Sequence, residues 1–129
     1  MTGTDHVPRA DGVRAAGVLP PAGHRALVRR ARAYVTAPRR EDYGLAQLEA
    51  LADGTPLVTT PAPGPYAALP LARALDPRLV GDDLGAGLRA ALDDPLPGYA
   101  ERALAAVAPF RRAAVDRTVA AELLPALVG

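Results

Sequence analysis

The sequence predicts an α/β fold in which helices cover both faces of a parallel sheet. Short runs rich in Val and Thr, bounded by Pro or Gly, alternate along the chain with longer segments whose apolar residues recur at helical spacing. The 129 residues suit one domain with one core. Only 4% of residues are aromatic, so Ala, Leu and Val supply most of the apolar area and the predicted core is thin.

The first half of the chain predicts three strands separated by two helices. These are a strand over 13–19, a helix over 22–32, a strand over 33–37, a helix over 43–53 and a strand over 56–60. Pro20 and Pro38 stop the first two strands because proline fixes φ and has no N–H to donate. Gly54 stands where a helix commonly ends in the left-handed conformation.

The second half predicts a stiff loop over 61–65, one further short strand and mainly helices. The predicted elements are a helix over 66–75 interrupted by Pro70, a strand over 78–81, and helices over 82–92, 97–108 and 110–128. Asp82 or Asp83 is suited to cap the first of these last three helices. The final helix carries Val115, Val119 and Leu123 four residues apart, which predicts one apolar stripe.

Composition and charge narrow the function classes. The net charge of +1, with both signs mixed, argues against a nucleic-acid partner. The chain has no cysteine, which excludes disulfides and thiolate metal sites. Residues 1–12 are polar and predict a disordered leader before a domain over 13–129. No apolar stretch reaches the length of about 20 residues that a membrane span needs, so a cytoplasmic protein is expected.

The most distinctive run lies between Pro38 and Val58 and contains Glu41 and Glu49, eight residues apart. At 100° per residue, eight helical residues turn about 80° beyond two full turns. The two carboxylates are therefore predicted to face one cleft if the helix includes both. Two glutamates at this spacing also occur often by chance, so the spacing alone says little about function.

The residues around this pair resemble the Glu-x7-Glu signature of the group 1 glycosyltransferases, a retaining, nucleotide-sugar-dependent family with the GT-B fold. The matching residues are Pro38, Glu41, Tyr43, Gly44, Leu45, Leu48, Glu49, Ala50, Ala52, Gly54, Pro56 and Val58. Asp42 stands where the family usually has Gly. The resemblance implies a partial Rossmann-like parallel sheet of about four strands, equivalent to the second half of the family's C-terminal nucleotide-sugar-binding domain.

The resemblance also implies roles for individual residues. Glu41 would contact the donor sugar near the reacting carbon and is the candidate catalytic residue. Tyr43, Gly44 and Leu45 would bind the donor's sugar and diphosphate, and a helix N-terminus offers unpaired N–H groups for this purpose. Glu49 would accept hydrogen bonds from the ribose hydroxyls. Gly64 is what remains of a glycine-rich loop in the family. No metal and no cofactor other than the donor substrate is implied.

Simpler interpretations remain open for the same residues. Glu41 and Asp42 also suit the first turn of any helix as favourable negative charges. Glu49 also fits a solvated helix surface, and residues 61–66 also fit a rigid surface connection. Asp42 would repel a diphosphate unless its side chain turns towards solvent.

The family's enzymes have two domains with the active site between them, and this chain resembles only the last strand–helix units of the second. We therefore expect a glycosyltransferase-like fragment that transfers a sugar only when completed by a separate N-terminal half or a second copy. In the family, two strands lie between those equivalent to 13–19 and 33–37, and both are missing here, which predicts an exposed edge on the 33–37 strand. The alternative is a non-catalytic interaction module or degenerate remnant that associates through this edge and its last helix.

Overall fold

A computed structural model describes residues 10–128 of the chain, and these residues are mainly helical. They contain 56% helix and 6% strand. The helices are α1 (Pro21–Arg30), α2 (Leu45–Ala52), α3 (Ala68–Leu75), α4 (Leu84–Asp93), α5 (Tyr99–Ala106), α6 (Arg112–Thr118) and α7 (Leu124–Val128). The strands are β1 (Tyr34–Thr36) and β2 (Leu57–Thr59). Pro77–Leu79 and Ala108–Phe110 are 3-10 turns, and Val119–Leu123 is a π-helical segment between α6 and α7.

The prediction of a sheet of about four strands is wrong. β1 and β2 form a parallel pair of three residues each, and Val80 adds a single bridge to Thr59. Residues 13–19 form no strand. Val13 and Val18 are 59% and 81% exposed, which shows that no neighbouring strand covers this run. Within 78–81, Arg78 and Leu79 belong to a 3-10 turn, which the Asp76 side chain caps by accepting from the Arg78 N–H.

Helix α2 connects the two parallel strands and begins and ends at glycines. Gly44 has φ of +88° and is the N-cap of α2, while Gly54 has φ of +75° just after its end. The Thr55 N–H donates to the Ala50 carbonyl at 3.0 Å, which satisfies one of the last carbonyls of the helix. The predicted helix end at Gly54 is confirmed, and both strands fall within their predicted ranges.

The core lies between this strand–helix–strand unit and helices α3, α4 and α5. Its fully buried large side chains include Leu51, Leu57 and Val58. The Tyr99 hydroxyl on α5 accepts from the Leu57 N–H at 3.1 Å and ties that helix to β2. Asp83 caps α4 through its Oδ1, which accepts from the Ala86 N–H at 2.9 Å, so the predicted cap is confirmed.

The predicted terminal segments differ in how far the structure describes them. Residues 1–9 of the predicted leader lie outside the described residues, and residues 10–13 form a turn closed by the Val13 N–H and the Ala10 carbonyl. The predicted last helix is present as α6, the π-helical segment and α7, but none of these three contains a buried residue.

Candidate functional site

The loops that follow β1 and β2 contact each other at the carboxyl end of the parallel strands. The Glu41 N–H donates to the Pro63 carbonyl at 3.1 Å, and the Ala67 N–H donates to the Tyr43 carbonyl at 2.9 Å. Gly64 has φ of +105° and lies so close to Glu41 that an added Cβ would overlap the Glu41 carbonyl oxygen. Ligands of open parallel sheets bind at this end of the strands. The structure thus brings the predicted residues Glu41 and Gly64 together.

The Glu41 side chain is anchored rather than free. Its Oε2 accepts from Gln47 Nε2 at 3.1 Å, and Gln47 is only 4% exposed in the first turn of α2. Beside them, the buried Tyr66 hydroxyl and Thr59 Oγ1 are hydrogen bonded at 3.0 Å. Burial raises the pKa of Tyr66, and the negative charge of Glu41 raises it further. These contacts hold the loop after β1, the start of α2 and the loop after β2 as one unit.

Gly44 joins this unit to the N-terminus of α2. With φ of +88°, an added Cβ at Gly44 would lie 2.8 Å from Cε2 of Tyr66, so only glycine fits between the loop and that ring. No side chain caps α2. The N–H groups of its first turn are therefore available for an anion at the carboxyl end of the strands.

Three of the predicted donor-binding residues line a different space. Tyr43, Leu45 and Glu49 face a cavity of about 510 Å³ between α1, α2, the end of α5 and α6. Its other walls are Arg25, Leu48, Ala52, Val107, Phe110, Arg111 and Val115. Glu41, Gly44 and Gly64 do not line it. The six predicted residues therefore form two groups, joined by the backbone from Glu41 to Leu45.

The cavity combines apolar walls with a few charged groups. Glu49 lies 3.8 Å from Nη1 of Arg25, and Arg111 forms no ion pair with another residue in the range 10–128. The rings of Tyr43 and Phe110 meet edge to face, with centroids 6.4 Å apart and planes at 72°. Small-molecule sites typically measure about 300–1,000 Å³ and pair apolar walls with a few polar groups. The cavity has the size and composition of such a site.

Charged side chains lie near β1 and near both groups of predicted site residues. Burial raises the pKa of Tyr34 on β1, and the charges of Glu41 and Glu49 raise it further. Asp42, the departure from the family pattern, has a side chain that is 87% exposed and pairs with Nε of Arg40 at 3.2 Å. The Asp42 side chain thus turns towards solvent.

Sequence reasoning missed several residues of this region. Gln47 occupies the third position of α2, where a Glu or Gln often reaches back to the preceding loop, and this pattern could have indicated its role. Arg25, Phe110 and Arg111 come from distant segments, and nothing in the sequence indicates that they meet Tyr43 and Glu49.

Comparisons with known proteins do not assign the chain to a family: no family model, no curated protein and no solved structure matches it. Within residues 10–128, no three His, Asp or Glu side chains gather in a way that could hold a metal ion. No helix of this part of the chain is both long and apolar enough to cross a bilayer.

Proposed function

We propose that this chain binds the nucleoside diphosphate part of a nucleotide sugar, as a glycosyltransferase-like fragment. The observation that supports this function is the cavity that joins Tyr43, Leu45 and Glu49, three residues assigned to the donor from the sequence alone. Leu45 and Glu49 lie four residues apart on one face of α2, and Tyr43 comes just before the N-cap of this helix, so local geometry brings the three residues to one cavity of nucleoside size.

Each wall of the cavity suits one part of such a ligand. The carboxylate of Glu49 accepts from vicinal ribose hydroxyls, as carboxylates do in dinucleotide sites. The ring of Phe110, which meets the Tyr43 ring edge to face, offers apolar area to the base. Arg111, which has no ion-pair partner within residues 10–128, supplies a planar guanidinium for phosphate.

In our proposal, sugar transfer also requires an acceptor site, which this chain does not supply. Glu41 would lie on the sugar side, but its carboxylate is hydrogen bonded to Gln47 and does not line the cavity. Transfer with retention would take place only after a separate N-terminal half or a second copy supplies the acceptor site. A cytoplasmic location and the absence of a nucleic-acid partner belong to the same proposal.

Calorimetric titration of the full chain with UDP, GDP and their sugars tests donor binding. We expect a dissociation constant between about 10 μM and 1 mM for at least one nucleotide. Glu49→Gln should weaken binding about tenfold, because each hydrogen bond to a charged group contributes about 1.5–3 kcal/mol. Glu122→Gln, an equally conservative change on the exposed π-helical segment, is the matched control and should bind like the parent. No binding up to about 5 mM, or equal loss in both variants, would refute the proposal.

A second candidate function is association with a second copy, which two exposed features support. Val35 on β1 is 44% exposed, and its N–H and C=O face away from β2 because those of Tyr34 and Thr36 face towards it. Leu123, Leu124 and Leu127 are also 50%, 49% and 74% exposed along the last helical run. Sedimentation equilibrium tests this candidate function. A chain that stays monomeric at about 100 μM, a concentration well above the dissociation constants of typical specific dimers, would argue against it.

A further inference from the structure

A second cavity, of about 480 Å³, lies on the other side of α1 and shares no lining residue with the first. Arg14, in the segment before α1, and Tyr34, at the start of β1, line two of its sides. Leu27 and Val28 of α1 provide an apolar wall, and His24 and Arg30 lie on the same helix. The cavity therefore joins an apolar surface to three basic side chains from two separate segments.

The two sides of α1 differ in how their charges are compensated. Arg25 and Arg29, four residues apart, both approach Oδ1 of Asp53, at 3.1 Å and 3.6 Å. On the cavity side, Arg14 and Arg30 form no ion pair within residues 10–128. The side that faces α2 is thus neutralised, and the side that faces this cavity retains its positive charge.

Among residues 10–128, no carboxylate lines this cavity. The two carboxylates whose charges reach Tyr34 belong to Glu41 and Glu49. Glu41 is occupied by its hydrogen bond to Gln47, and Glu49 lies beside Arg25. Neither residue is therefore placed to pair with Arg14 or Arg30, and the positive charge of the cavity is left for an external anion.

From this arrangement we infer a second binding site, between residue 14, α1 and β1, for a small organic phosphate monoester. The apolar group of the ligand packs on Leu27 and Val28, and its phosphate binds Arg14 and Arg30. Guanidinium groups match phosphate geometry through paired N–H donors, which favours phosphate over a single-point anion. A cavity of this volume has room for a small aromatic or aliphatic ester. The site is independent of the proposed nucleotide cavity.

Phenyl phosphate is a suitable probe because it combines one apolar ring with one phosphate. Titrated into the isotopically labelled full chain at low salt, it should shift the amide signals of Val28, Ala31 and Tyr34 saturably. The expected dissociation constant is about 0.1–1 mM, as for a small ligand with one charged group. Inorganic phosphate and phenol should each bind at least about fivefold more weakly, since each offers only half of the contacts.

Substitutions identify the phosphate contacts. Arg14→Gln and Arg30→Gln should each weaken phenyl phosphate at least about fivefold, because each removes a charge-assisted contact. Arg117→Gln is the matched control, since Arg117 is exposed on α6 and has no ion pair within the described residues. Shifts that do not saturate, shifts centred on Tyr43 and Glu49, or equal weakening in all three variants would overturn the inference. Shifts confined to Val28, Ala31 and Tyr34 and absent from Tyr43 and Glu49 would place the probe outside the nucleotide cavity, so failure of the nucleotide proposal leaves this result unaffected.

Discussion

Two regions of this chain carry similar helical patterns and differ in what they pack against. From β1 to the end of α5, strands and helices enclose every fully buried large side chain, among them Leu51, Leu57 and Val58. From α6 to α7, Val115, Val119 and Leu123 form an equally regular apolar stripe, but no residue is buried. An amphipathic pattern therefore predicts that a helix forms without predicting that it has a partner within the chain.

The regions also differ in how proline and glycine are used. In the packed region, Gly44 and Gly64 permit close approaches that any side chain would prevent. In the C-terminal run, Pro125 lies inside the helix and has no N–H to donate, and a proline ring in a regular helix clashes with the carbonyl four residues earlier. The π-helical segment Val119–Leu123 precedes it, at the place where the regular ladder is disturbed. Tertiary contacts determine the conformation of the packed region, and local backbone chemistry determines the conformation of the run from α6 to α7.

Truncation of a leucine in each region should give the largest difference in the free energy of unfolding. Leu51→Ala removes a side chain that is 0% exposed and should lower the free energy of unfolding by about 2–5 kcal/mol. Leu123→Ala, the same change at a side chain that is 50% exposed, should cost less than about 0.5 kcal/mol. Urea unfolding of both variants measures the difference. Similar losses would mean that the C-terminal run is packed as tightly as the core.

Acid should act on the packed region through Asp76, which is 2% exposed and accepts three hydrogen bonds from Arg78. These bonds lower the pKa of the Asp76 carboxyl below its ordinary value of 3.8. A lowered pKa in the folded state stabilises the fold above the unfolded pKa, and this stabilisation is lost as pH falls through the folded pKa. We therefore expect stability to fall below about pH 4.

Asp76→Asn tests this assignment directly. At pH 7 the variant should unfold with about 1–3 kcal/mol less free energy, because Arg78 loses its buried charged partner. Its stability should also vary less between pH 4 and pH 2 than that of the parent chain. Asp116→Asn on α6, whose side chain is 69% exposed, is the matched control and should change neither quantity. An unchanged acid profile in Asp76→Asn would exclude this carboxyl as the source.

The sequence was sufficient where local rules determine the structure. Gly54 predicted the end of α2, and Asp83 predicted the start of α4, because each position needs a particular backbone or capping group. The strand predicted over 13–19 failed because a run of apolar residues forms a strand only when a neighbouring strand accepts it. Its two Val side chains remain exposed, and nothing in the run itself distinguishes it from the buried β2.

The candidate site also shows that sequence rules predict local geometry but not tertiary packing. The 80° estimate treats Glu41 and Glu49 as members of one helix, but α2 begins at Leu45 and Gly44 turns the chain with φ of +88°. Helical geometry therefore relates Leu45 to Glu49, which share the cavity, and does not extend back to Glu41. The walls contributed by Arg25 and Phe110 depend on tertiary packing and lie beyond any local pattern.

Repair of the C-terminal helix should have the smallest effect on stability. Pro125→Ala restores an N–H and removes the ring clash, a change that favours helix by up to about 3 kcal/mol locally. Because the run from α6 to α7 buries nothing, this local gain should raise the helical circular dichroism signal while the global unfolding midpoint stays the same. Pro70→Ala is the control: Pro70 occupies the first turn of α3, where proline costs no hydrogen bond, so helicity should not rise. A higher midpoint in Pro125→Ala would show that the run unfolds together with the core, and the contrast between the two regions would then be one of exposure alone.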